Sequence, residues 1–381
     1  MSTILDYIDW RGDLSVKSSP FCEVDNLIVT LLSFMELGGI ADKSLRRHGI
    51  KLSEAVKMYL EKYDPSEYSM GVLIPDEMPE LFKKAAASKR FGEMRLFGYK
   101  SILDDVTETQ FAALCIDVGD GSVYVAFRGT DDTIVGWKEN FNMSFMDSIP
   151  AQRHALEYLE DISRHTIGKL RVGGHSKGGN LALYASANAS KRTKRRIIAV
   201  YNNDGPGFGK SIEETMGFEE IKDKILTIVP SFSVVGLLLE HGKVDKVIKS
   251  SGNGVWQHDP CTWEVLGDSF VLSDGLTRES SHIEKTLKAC VAELSTDERR
   301  DMVEALYKVF TANHAKTLSD IAADKMDFVR ALGKLDDKTR NIIISTGKLI
   351  LKEGMRVRKS EKKHSGFFKK AKGEGSDENI D

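Results

Sequence analysis

The chain predicts a three-layer α/β fold with a mainly parallel sheet, extended by helical additions at both ends. Three observations lead there. Between about residues 96 and 280, short β-rich runs alternate with helical patterns, as strands joined by crossover helices require. Inside that span a glycine-flanked serine stands between a strand and a helix. On either side of it the apolar spacing is helical. The 381 residues, 41% hydrophobic and 29% charged, suffice for one large core with additions. We therefore divide the chain into a helical region 1–95 that could act as a cap, an α/β core 96–280, C-terminal helices 281–355, and a basic, disordered tail 356–381.

The elements follow in order. Leu27, Ile28, Leu31, Leu32 and Met35 share one helical face, and Gly38-Gly39 ends that helix. Ser53–Leu60 and Met78–Ala85 read as two more helices. Gln110–Val118 and Ser122–Phe127 are strands around the turn Gly119-Asp120-Gly121, a hairpin signal. Ala151–His165 is a helix, Leu170–Gly173 a strand, and Asn180–Ala187 a helix rich in small residues. Three further strands fall at Arg196–Asn202, Lys224–Val229 and Lys246–Ser250. Ser295-Thr296-Asp297-Glu298 offers a capping box for a helix reaching Phe310.

Composition narrows the function classes. A net charge of −3 argues against a general nucleic-acid binder. The four cysteines, Cys22, Cys115, Cys261 and Cys290, form no C-x-x-C pair and fit free thiols in a reducing compartment. The first residues lack the basic and apolar regions of a signal peptide, and no apolar run has the length of a membrane helix. These features read as a cytoplasmic protein. No metal cluster, Walker-type loop or dinucleotide fingerprint is visible, so no metal or cofactor is expected. Eight Lys and Arg between Arg356 and Lys372 mark a solvated tail. The sharper reading of that tail is a weak contact to anionic lipid or RNA, with Phe367 and Phe368 inserting.

The chemistry centres on Gly174-His175-Ser176-Lys177-Gly178, the G-x-S-x-G form of a nucleophile elbow. A serine hydroxyl needs a base within reach and an acid to orient that base. In α/β-hydrolases the three follow in the order Ser, acid, His, at the C-terminal ends of strands. His258 lies in a loop just after the last expected strand and is the better base; His241 precedes that strand. His175 cannot easily turn onto its neighbour's hydroxyl and is read as structural. Asp204 follows the strand after the nucleophile and is the candidate acid, with Asp245 and Asp259 as fallbacks. The commoner acid position, one strand later, reads Val229-Pro230-Ser231-Phe232-Ser233 and holds no carboxylate. Oxyanion donors are expected from the Lys177 N–H and from Thr130, which follows the strand end Phe127-Arg128-Gly129.

Together, Phe127-Arg128-Gly129-Thr130 with Trp137, Gly174–Gly179, and Tyr201–Gly209 resemble the class 3 lipase branch of the α/β-hydrolases. The opening Asp6–Ser15, the segment around Phe21–Asn26, Glu240-His241 and Gln257-His258-Asp259-Pro260 look like an uncharacterised bacterial family of lipase-like proteins. The resemblance implies Ser176 as nucleophile, His258 as base, and Thr130 and Lys177 as oxyanion donors. Class 3 lipases carry an aspartate near the position of Ser233, whereas some other lipases place the acid one strand earlier, as Asp204 would be. The expected function is a serine esterase or lipase-like hydrolase acting on a small acyl ester or lipid. The alternatives are a non-catalytic binding protein of the same fold and an acyltransferase.

Overall fold

The computed structural model describes residues 1–41, 43–45, 47–63, 70, 74–209, 212, 215–311, 315–323 and 335–373; side chains 322, 323 and 360–373 are excepted. Its frame is an eight-stranded sheet whose order follows the sequence. The strands are β1 (Ile50–Lys51), β2 (Arg95–Asp104), β3 (Thr109–Asp117), β4 (Ser122–Phe127), β5 (Lys169–His175), β6 (Ile197–Asn203), β7 (Ile225–Pro230) and β8 (Lys246–Ile248). β1 to β4 pair antiparallel, and β4 to β8 pair parallel.

The parallel half needs crossovers, and helices supply them. α5 (Ile134–Asn142) and α6 (Pro150–His165) join β4 to β5. α7 (Lys177–Asn188) and α8 (Lys191–Arg196) join β5 to β6, and α9 (Met216–Glu219) lies between β6 and β7. Strand side chains alternate between two cores, as the two-residue period demands. Val123, Val125 and Phe127 of β4 face α6 and α7, while Tyr124 and Ala126 face the N-terminal helices. This sheet, layered by helices on both faces, is an α/β-hydrolase fold.

The N-terminal helices are α1 (Ile4–Arg11), α2 (Glu23–Leu31), α3 (Leu52–Lys62) and α4 (Met78–Ala87). All nine residues of α2 are buried, and Ile4, Tyr7, Leu52, Val56, Leu81 and Phe82 join the same core as the sheet. Burying each such side chain stabilises the fold by roughly 1.5–3 kcal/mol, so these helices pack as one layer of the core. The polar residues of α2 are satisfied. Asp25 pairs with Arg90, Asn26 donates to Asn203 Oδ1 at 2.9 Å, and Glu23 Oε2 meets Lys246 at 2.6 Å.

β2 opens the expected α/β core at a place where the sequence reading named no strand. Its apolar alternation breaks at Gly98, where φ is +64° and the β2–β3 register shifts between Phe97 and Lys100. A bulge of this kind hides a strand from period-2 reading. After the sheet come a small hairpin of β9 (Val265–Leu266) and β10 (Ser269–Phe270), then α10 (Arg278–Glu293), α11 (Thr296–Thr311) and α12 (Leu318–Ala323). A final helix, Asp337–Gly373, runs through the first part of the segment expected to be a disordered tail, and residues 374–381 lie outside the described residues. No helix of the described residues is long and apolar enough to cross a membrane.

Candidate active site

Ser176 stands at the joint between β5 and α7. Its backbone has φ +56° and ψ −131°, a conformation costly for any residue but glycine. Small neighbours make the turn fit. A Cβ on Gly174 would come within 2.0 Å of the Gly178 backbone. The strain is held by backbone hydrogen bonds: Ser176 N donates to Asn203 O at 3.0 Å, and Gly179 N donates to Ser176 O at 2.9 Å. The serine is half-buried at the positive end of the α7 dipole, which favours developing negative charge there.

Asp204 follows β6 and is fully buried, at φ +51°. Its N–H donates to Ile228 O at 2.8 Å, which ties the turn to β7. Its carboxylate is divided between two partners. Oδ2 meets His258 Nδ1 at 2.6 Å, and Oδ1 accepts the Ser233 hydroxyl at 2.5 Å. Ser233, at the position where the lipase resemblance places an aspartate, therefore supports a carboxylate supplied by the neighbouring strand. Ser233 Oγ in turn accepts from Gly236 N at 3.1 Å. Gly236 must stay small, because a Cβ there would come 2.3 Å from Asp204 Oδ1.

His258 ends the short 3-10 helix Gly254–His258, after β8. With Nδ1 committed to Asp204, Nε2 is left as the nitrogen for a reacting partner. Among the described residues Ser176 Oγ makes no hydrogen bond to His258. The ring packs on His175, with centroids 4.6 Å apart, and His175 Nε2 donates to the His258 carbonyl at 2.9 Å. Burial holds His175 well below the usual imidazole range, the facing His258 adds to this, and the carbonyl bond opposes it. A neutral His175 can therefore clamp the loop that carries His258.

The other expected residues fall elsewhere. His241 Nε2 lies 3.1 Å from Glu284 of α10, and its Nδ1 bonds Gly242 O. Asp245 Oδ2 accepts from Thr227 N at 2.9 Å, along the β7–β8 edge. Asp259 caps the turn after His258 by accepting from Cys261 N at 2.8 Å, and burial pushes its carboxyl up to about 6. Of the three carboxylates considered, Asp204 is the one bonded to His258.

The expected oxyanion donors converge on one helix. A Cβ on Gly129 would come 2.7 Å from His175 O, so the β4 exit presses on the elbow. Thr130 Oγ1 accepts from Asn140 Nδ2 at 2.6 Å, which leaves its hydroxyl proton to be donated. Lys177 sends its ammonium inward, away from solvent. There it meets Glu139 Oε2 at 3.0 Å and Gln110 O at 2.7 Å, and also bonds Gln110 Oε1. Both side chains are fully buried. Glu139 also accepts from Gln110 N at 3.0 Å and Ala151 N at 2.8 Å. Adjacent α5 residues, Glu139 and Asn140, thus hold the two segments that would supply the donors. Sequence reading missed this pair, since Glu139 lies 38 positions from Lys177 and nothing local links them.

A cavity of about 540 Å³ runs past Met143, Tyr184 and Phe208 and does not border Ser176, Asp204 or His258. The exposed apolar residues Val255 and Trp256 stand in the same short helix as His258.

The chain is similar to the solved M37 lipase at 17% identity, over 49% of this chain and 68% of that one, with a TM-score of 0.33. It is similar to a Rhizopus microsporus var. chinensis lipase at 16% identity, over 54% and 72%, with a TM-score of 0.33. The native Rhizomucor miehei lipase propeptide complex matches at 16% identity, over 38% and 52%, with a TM-score of 0.28. None of the curated proteins matches the chain. The Mbeg1-like family model matches residues 85–308, more than half the chain. The chain belongs to the Mbeg1-like family, a lipase-like family with an α/β-hydrolase fold.

Proposed function

We propose that this lipase-like protein is a serine hydrolase that cleaves carboxylic esters through an acyl-enzyme on Ser176. The observation that carries the reading is the 2.6 Å bond between buried Asp204 and His258 Nδ1, beside a serine at φ +56°. In the proposed scheme His258 Nε2 takes the Ser176 proton as Oγ attacks the acyl carbonyl. The tetrahedral oxyanion is received by the Lys177 N–H and by Thr130. His258 then returns the proton to the leaving alcohol, and water repeats the sequence to release the acid. Asp204 orients the imidazole and stabilises its charged form. The Ser–His contact would close when substrate binds, as hydrogen bonds in unliganded sites often do.

Exposed Val255 and Trp256 beside His258 suit an apolar acyl group. Four free thiols, three of them buried, support a reducing, cytoplasmic setting. There a short-chain ester, a lysophospholipid or a thioester is the expected substrate class. Acyl transfer would use the same residues with water excluded.

The test is intact-protein mass after reaction with a fluorophosphonate, for wild type, Ser176→Ala and His258→Ala. One adduct on wild type and none on either variant is expected. The open Ser176–His258 link favours a second reading, a binding protein that keeps the fold. Folded wild type that takes no adduct would replace the hydrolase reading with that one.

A further inference from the structure

We propose that the outward face of the C-terminal helix is a docking surface for membranes that carry anionic lipid. The helix Asp337–Gly373 packs on α10 and α11, and its inner side buries Thr339 and Glu353. The opposite side is apolar and bare. Ile344 is 48% exposed, Leu351 69% and Met355 68%. Their spacings of seven and four residues put them on one face. Exposed Lys348, Arg358 and Lys359 lie along the same face.

The charge is one-sided. From Asn341 to Gly373 the carboxylates are Glu353 and Glu361 alone, against ten Lys and Arg. Glu353 is fully buried and bonds Arg356. In a chain of net charge −3, Lys348, Arg358 and Lys359 make this a positive face. Beside it runs an apolar trough of about 350 Å³, lined by Ile283, Leu287, Ile350, Leu351, Met355 and Arg358. Large apolar side chains within a cationic face are the pattern of a helix that lies in a lipid interface. A second copy would bring the same positive charge against this face and be repelled. Anionic lipid supplies the opposite charge and, for the trough, a hydrocarbon tail. The side chains of Phe367 and Phe368 lie outside the described residues.

The inference does not depend on hydrolysis, because binding is read without turnover. The full chain is sedimented with vesicles of phosphatidylcholine, alone or mixed with phosphatidylserine, at low and high salt. Pelleting with the phosphatidylserine vesicles at low salt, lost at high salt, is expected. Both Lys348→Glu/Lys359→Glu and Leu351→Ser/Met355→Ser should weaken it roughly tenfold or more. All four positions are exposed, so these variants should keep the wild-type melting temperature. Three outcomes overturn the proposal. They are no pelleting at low salt, equal pelleting with both vesicle types, and a dimer that Leu351→Ser abolishes, which would give the face to a second copy.

Discussion

Among the described residues two ion pairs are fully buried, and they do different things. Asp25–Arg90 sits in the N-terminal layer; Glu139–Lys177 sits under the nucleophile elbow. Each is well supplied with hydrogen bonds. Asp25 also accepts from Tyr7 OH at 2.9 Å and Cys22 N at 2.8 Å, while Arg90 donates to the carbonyls of Leu14, Ser19 and Pro20. The surroundings are equally dry, so the cost of breaking either should be similar. What differs is the backbone each one holds. Arg90 pins the chain around residues 14–25. Lys177 carries the first N–H of α7, the expected oxyanion donor. The comparison teaches that burial sets what an ion pair costs to break, whereas its attachment sets which function fails with it.

The largest expected effect separates the two pairs. Arg90→Ala and Glu139→Gln should each lower stability by about 3–5 kcal/mol in urea unfolding, because each strands a buried charge. Under conditions where both remain folded, fluorophosphonate labelling of Ser176 should persist in Arg90→Ala. In Glu139→Gln it should slow by roughly 10²-fold or more, the scale of losing one oxyanion donor. Equal labelling in the two variants would remove the positional role of the Glu139–Lys177 pair.

The acid network offers a second contrast. Asp204→Asn should lower labelling by about 10⁴-fold, the scale seen when a triad acid is neutralised. Ser233→Ala removes one bond to the same carboxylate and should cost about 1.5–3 kcal/mol of stability with a much smaller loss of rate. If Ser233→Ala matches Asp204→Asn in rate, the serine does more than support the carboxylate.

The smallest effect concerns pH. His175 has a folded-state pKa below its unfolded one, so the unfolded chain binds more protons below about pH 6.5. Its contribution is full above that pH and falls as acid is added. Asp259, raised to about 6, acts in the opposite sense, since the folded chain holds its proton more tightly. Melting temperatures at pH 7 and pH 5 should therefore fall less in His175→Gln and more in Asp259→Asn than in wild type. Parallel curves for all three would place both groups outside the pH response.

Some of this was legible in the sequence because it is local. An elbow declares itself through adjacent small residues, and the strands β3 to β8 through alternation and turn signals. His258 was legible from chain order and from its place after the last strand. β2 was not, because the Gly98 bulge breaks its period. Nor was the N-terminal layer readable as core: α2 carries Glu23, Asp25, Asn26 and Thr30, which look solvent-facing until their partners are known. Arg90 and Asn203 lie 65 and 177 positions from theirs.

The sequence by itself determined the α/β architecture, the strained serine turn and a short list of acids and bases. Periodicity, glycine placement and chain order are properties of neighbouring residues. Tertiary structure alone decided which carboxylate reaches His258, that Ser233 supports it, and that Lys177 turns inward to Glu139. Those choices depend on side chains brought together across strands. Their energies come from desolvation and hydrogen-bond geometry, which exist only once the layers have closed.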